Sequence, residues 1–138
     1  SQQGVTMNFA KQKLVHLGES SYTINPFLTS KGLRVKSQLM KYLGSGLAEV
    51  FNTVQSDDED DDNAMAIISL ISTVFENMPE DKFVTLIQES LSGVYKNGQM
   101  IDFDKEFALN YANLYILVKE VLVFNYGDLF SLLGINAA

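Results

Sequence analysis

Residues 110–130 read NYANLYILVKEVLVFNYGDLF, and fourteen of these twenty-one are apolar or aromatic. Phe107, Tyr111, Leu114, Val118 and Leu122 recur at intervals of three or four residues, so the stretch predicts a long helix with these residues on one stripe. Leu109, Ala112, Tyr115, Ile116, Val123 and Phe124 add apolar surface beyond that stripe. A membrane span is excluded, because Lys119 and Glu120 interrupt the run well short of the roughly 18 residues a span needs. Two uses remain for so apolar a helix. Either it is the central helix of the core, or part of it is a surface kept for another protein, as large exposed apolar patches are. Tyr111, Tyr115, Tyr126 and Phe130 are of the residue types enriched at such interfaces.

Working outward, the chain has 138 residues, which implies a single domain spanning 1–138. Residues 1–10 are expected to lie outside any packed structure. The leading SQQGVT is read as foreign to the native chain, which would then begin at Met7. The segment KLVHLGESSYTINPF (13–27) alternates apolar and polar residues on both sides of a GESS turn, the pattern of a small β-hairpin that Pro26 closes. A helix follows from Thr29 or Ser30. Leu39, Met40, Leu43, Leu47, Val50, Phe51 and Val54 fall within one arc of it, and Lys31, Arg34, Gln38 and Lys41 on the opposite, basic side. Residues 56–63, SDDEDDDN, hold six consecutive carboxylates, which repel one another and predict a disordered acidic loop. Two further helices are expected, over 64–78 and from Pro79 to Gly93, the latter with Phe83, Leu86, Ile87 and Leu91 on one face. Asn97-Gly98 signals a tight turn, and Asp102 or Asp104 is expected to cap the last helix, which Gly127 or Gly134 would end. The fold class is therefore mainly α: about four helices, a small N-terminal hairpin and the acidic loop.

Little in the chain supports catalysis. There is no cysteine, hence no disulfide and no thiolate nucleophile or metal ligand, which fits a reducing cytoplasm. His16 is the only histidine, and zinc needs more than one His or Cys ligand. The acidic run fails as a calcium loop. Counting from Asp58 puts Asn63 where glycine is required and Ser69 where glutamate is required, and counting from Asp57 fares no better. GSG at 44–46 lies mid-helix and is not a phosphate loop. No enzyme, cofactor or metal site is expected.

Charge is unevenly distributed. Residues 1–55 carry six Lys or Arg against two Glu, net +4, whereas residues 56–138 carry four against fifteen acids, net −11. So few basic groups beside so acidic a remainder make a poor nucleic-acid footprint. Opposite charges on the two halves suit self-association or a polar partner.

The order of these features resembles the tail assembly chaperones of long-tailed bacteriophages. YTINPFLTSKGLRVKSQLMKYLG (22–44) is similar to that family's opening, an extended segment, a proline and a basic helix. IDFDKEFALNYANLYILVKEVLVFNYGDLF (101–130) resembles its close, with Asp102, Phe103, Phe107, Asn125, Gly127 and Phe130 at the matching positions. The resemblance implies a non-enzymatic protein of the host cytoplasm, absent from the mature virion. It would bind the tape measure protein, keep it soluble, and help recruit tail tube protein. The contact surface expected is Tyr111, Leu114, Tyr115, Val118, Leu122 and Phe130 on the last helix, with Lys31, Arg34 and Lys41 as a second contact. The competing expectations are a tail or connector protein retained in the virion, and an acidic regulatory binder.

Overall fold

The computed structural model describes residues 11–43, 73 and 76–132, with side chains for 11–42, 73 and 76–127. The acidic run, the first ten residues and most of the expected helix over 64–78 lie outside the described residues. Strands β1 (Lys13–Leu17) and β2 (Ser20–Ile24) form the expected hairpin, in register from Lys13 opposite Ile24 to Leu17 opposite Ser20. Its two-residue turn starts at Gly18, whose φ of +63° suits glycine, with no Cβ to clash.

That hairpin is only half of a sheet. Strands β3 (Val94–Lys96) and β4 (Gln99–Met100) form a second hairpin, and β3 pairs antiparallel with β2, giving the order β1-β2-β3-β4. The turn between them is Asn97-Gly98, both with positive φ (51° and 84°), as a twist-matched two-residue hairpin turn requires. Tyr22 lies opposite Lys96 and Ile24 opposite Val94. A hairpin alone is marginal in water, and the second hairpin and the helices supply the missing cover.

Helix α1 (Thr29–Leu43) turns Val35 and Leu39 into the core. Met40, expected on the same arc, stands half-exposed because the arc that packs is centred on Val35 and Leu39, leaving Leu33 and Met40 outside. Helix α2 (Glu80–Leu91) begins after Pro79, carries Glu80 and Asp81 in its first turn, and buries Leu86, Ile87, Ser90 and Leu91. Phe83 packs against the same core. Ser90 satisfies its buried hydroxyl by donating to the Leu86 carbonyl at 2.8 Å.

The C-terminal segment departs from expectation at its start. Asp102 precedes a separate short helix, α3 (Phe103–Glu106), rather than the long one. The chain then passes through Leu109 at φ +60°, a backbone conformation that ends helical propagation, before α4 (Tyr111–Leu132) begins. Helix α4 runs on through Gly127, and the alternative end at Gly134 lies outside the described residues. Leu114, Leu117, Val118, Val121, Leu122 and Tyr126 form its buried stripe, and the helix packs against α2 and β1. Burial on that scale is its main source of stability, on the order of 25 cal/mol per Å² of apolar surface removed from water.

Two side chains near the end of α4 hold the start of α1. Asn125 Oδ1 accepts from the Phe27 backbone N–H at 2.8 Å, while its Nδ2 donates to the Val121 carbonyl at 2.9 Å. The Tyr126 hydroxyl donates to the Gly32 carbonyl at 2.7 Å, and its ring meets Phe27 edge to face, centroids 6.0 Å apart. Replacing Asn125 by Ala leaves the Phe27 N–H without its acceptor and should lower unfolding free energy by about 1–3 kcal/mol. Urea denaturation of the two proteins checks this; an unchanged midpoint would show that the joint contributes nothing.

Candidate functional site

The residues expected to meet a partner are divided by the structure. Leu114, Val118 and Leu122 face inward and belong to the core, so that stripe is covered by the protein's own sheet and helices. Tyr115 is half-buried against the same core, and Tyr111, at the first position of α4, is 61% exposed. Phe130 lies in α4, with its side chain outside the described residues.

The basic residues of α1 are not equivalent. Lys31 hydrogen-bonds Ser92 Oγ just beyond α2 and places its ammonium 4.8 Å from the centre of the Phe27 ring. Burial lowers its pKa below the ordinary lysine value, against the pull of Glu89 and with the push of Arg34. Arg34 itself pairs with Glu89 at 3.6 Å. Lys41 lies over the Tyr42 ring at 5.3 Å. Lys31 and Arg34 thus fasten α1 to α2, and neither is a free positive charge.

Several apolar side chains stand in water instead. Leu28 and Leu33 are 55% and 59% exposed, and Met40, Met100 and Leu109 are also outside. Leu28 and Leu33 are not among the residues expected from the sequence to meet a partner. The signal was there in Leu33 and Met40, seven residues apart on a face of α1 that the core stripe does not use. Leu109 combines 98% exposure with its left-handed backbone, a conformation that costs about 1–3 kcal/mol for such a residue.

Two charged groups are held close to the core. Tyr22, fully buried on β2, donates to Glu106 Oε2 at 2.6 Å, and Lys96 pairs with the same oxygen at 2.9 Å. Burial and the Glu106 carboxylate push the Tyr22 phenol up to about 12. On α4, Glu120 meets Lys119 at 2.8 Å and Lys13 of β1 at 3.1 Å. Burial alone would raise the Glu120 pKa, but the hydrogen bond from Lys119 and the charges of Lys119 and Lys13 outweigh it and hold the carboxyl below its ordinary range.

His16 Nδ1 and Ser21 Oγ share a hydrogen bond at 2.9 Å across the first hairpin. The pair is exposed to solvent, with no carboxylate hydrogen-bonded to the ring among the described residues, so it reads as a cross-strand contact. Among the described residues no group of three or more His, Cys, Asp or Glu is placed to hold a metal ion, and no described helix is long and apolar enough to cross a membrane.

A family model for phage tail assembly chaperone proteins matches residues 18–136. The chain belongs to the phage tail assembly chaperone family. No curated protein and no solved structure matches it. The positions that carry the family resemblance have visible structural work in this chaperone. Phe103 and Phe107 pack edge to face at 5.9 Å, with Phe107 buried, and Asn125 ties α4 to Phe27. These residues hold the frame on which the exposed apolar side chains stand.

The Glu120 cluster gives a pH test. Its folded pKa lies below the unfolded value of 4.5, so its contribution is complete above that value and is lost as pH falls through the folded pKa. Wild type should therefore be more stable than Glu120→Gln near pH 7, with the gap closing toward pH 3. Thermal unfolding of both proteins over that range checks it, and a gap independent of pH would remove Glu120 as the cause.

Proposed function

We propose that this chaperone binds the tape measure protein and keeps it soluble in the host cytoplasm while the tail forms, recruiting tail tube subunits and then staying out of the finished virion. The observation that carries this reading is the family match over nearly the whole chain. The geometry supplies a physical means. A holdase for apolar helices needs carbon surface of its own outside its core, and Leu28, Leu33, Met40, Leu109 and Tyr111 are such surface. Tyr111, the exposed part of Tyr115, and the α1 face that carries Lys41 are the portions of the expected contact surface open to a client; Leu114, Val118 and Leu122 would engage one only if the core opened. A net charge of −7 keeps a loaded complex apart from its neighbours. No catalytic step is involved.

Co-expression with a fragment of the phage's own tape measure protein tests the reading. The fragment should be recovered soluble, and should co-elute with this chain, only when both are made together. A fragment that precipitates regardless, or this chain found in purified virions, would contradict it.

A further inference from the structure

We propose that the groove between the first two turns of α1 and the end of α4 docks an apolar segment of a protein client that carries carboxylates. This rests on the chaperone reading for there being a client, and it adds where that client is held and what chemistry selects it.

The groove is open to solvent, is lined by Phe27, Leu28, Gly32, Leu33, Lys36 and Tyr126 among others, and offers about 310 Å³. That is near the lower end of the roughly 300–1,000 Å³ typical of binding pockets, enough for a few side chains. Its base is fixed before any client arrives. Two of the polar side chains there already have partners: the Tyr126 hydroxyl donates to the Gly32 carbonyl, and Asn125 bridges the Phe27 N–H and the Val121 carbonyl. What the groove offers is therefore mainly carbon, with the Phe27 and Tyr126 rings set edge to face and Leu28 and Leu33 more than half exposed on its rim. A preformed, desolvatable apolar floor binds at low ordering cost.

Charge decides the occupant. Helix α1 carries Lys31, Arg34, Lys36 and Lys41 and no acidic residue, and its first turn has no carboxylate to offset the partial positive charge of the helix start. Arg34 is paired with Glu89, and Lys31 is engaged with Ser92 and Phe27. Lys36 lines the groove and makes no ion pair among the described residues. Residues 76–132 carry nine acidic residues against four Lys, whereas α1 carries only basic ones, so among the described elements an acidic segment is drawn to α1. Apolar side chains would fill the floor while carboxylates meet Lys36 and the start of α1.

The test uses the full chain and two synthetic peptides of about a dozen residues, with leucines at helical spacing. One carries glutamates at the remaining positions and the other lysines. The glutamate peptide should bind, shifting the amide resonances of Leu28, Gly32, Leu33 and Lys36. Leu33→Asp and Lys36→Glu should each weaken it about tenfold or more, whereas Leu14→Asp, on the exposed side of β1 and away from the groove, should leave it unchanged. Both groove positions are outside the core, and circular dichroism confirms that each variant is folded. Equal binding of the lysine peptide, resonance shifts confined to other faces, or unaltered affinity in both groove variants would overturn the proposal. So would a wild-type dimer that Leu33→Asp converts to monomer, because the occupant would then be a second copy. The same variants separate this inference from the reading it rests on. A tape measure fragment kept soluble by the Leu33→Asp, Lys36→Glu double variant sinks the groove alone; one that wild type fails to hold, while the glutamate peptide still binds, sinks the tape measure reading alone.

Discussion

The joint between Phe27 and the Asn125–Tyr126 pair is the constraint on which the rest depends. It brings together segments almost a hundred residues apart, with one backbone hydrogen bond to Asn125, a second polar contact to the Gly32 carbonyl and an edge-to-face ring pair. Closing so long a loop is entropically costly. The cost is offset by the apolar stripe of α4, from Leu114 to Tyr126, which the sheet and α2 cover. Once α4 is seated, the joint fixes where α1 starts, and Lys31 and Arg34 then fasten α1 to α2 through Ser92 and Glu89.

This arrangement explains how a protein can have so apolar a helix and still display carbon surface elsewhere. The α4 stripe is consumed by the fold. What is left outside comes from α1 and from the approach to α4: Leu28, Leu33, Met40, Leu109 and Tyr111. Such residues add nothing to the core, and several of them stand where a polar residue would be less costly in water. The proposed client-binding role would give that exposure a use, and the basic, acid-free α1 would give it a selectivity that apolar contact alone lacks.

Much of the local structure is legible in the sequence. Alternation and the GESS turn give the first hairpin, Asn97-Gly98 gives the second turn, and Pro79 with two acids gives the start of α2. The merging of two hairpins into one sheet is not, since pairing Tyr22 with Lys96 is a long-range event with no local pattern. Nor is the break before α4: Leu109 in left-handed backbone defies its own preference, with the Asn110 N–H donating to the Phe107 carbonyl across it. The contact face on α4 could not be chosen from periodicity, because a helix apolar on nearly every side has no single direction to favour. For the same reason Leu114, Val118 and Leu122 look equally suited to a core and to an interface until the sheet is seen lying over them. Lys31 and Arg34 look free in sequence and are engaged in the structure.

The central claim is that a client is held on the outside of an intact core. Hydrogen–deuterium exchange of the chaperone, alone and saturated with a tape measure fragment, tests it most directly. The account predicts new protection in α1 and in the segment leading into Tyr111, with exchange across Leu114–Leu122 as slow in the complex as in the free protein. Faster exchange across Leu114–Leu122 on binding, with α1 unchanged, would mean that the core opens to take the client, and would contradict the account.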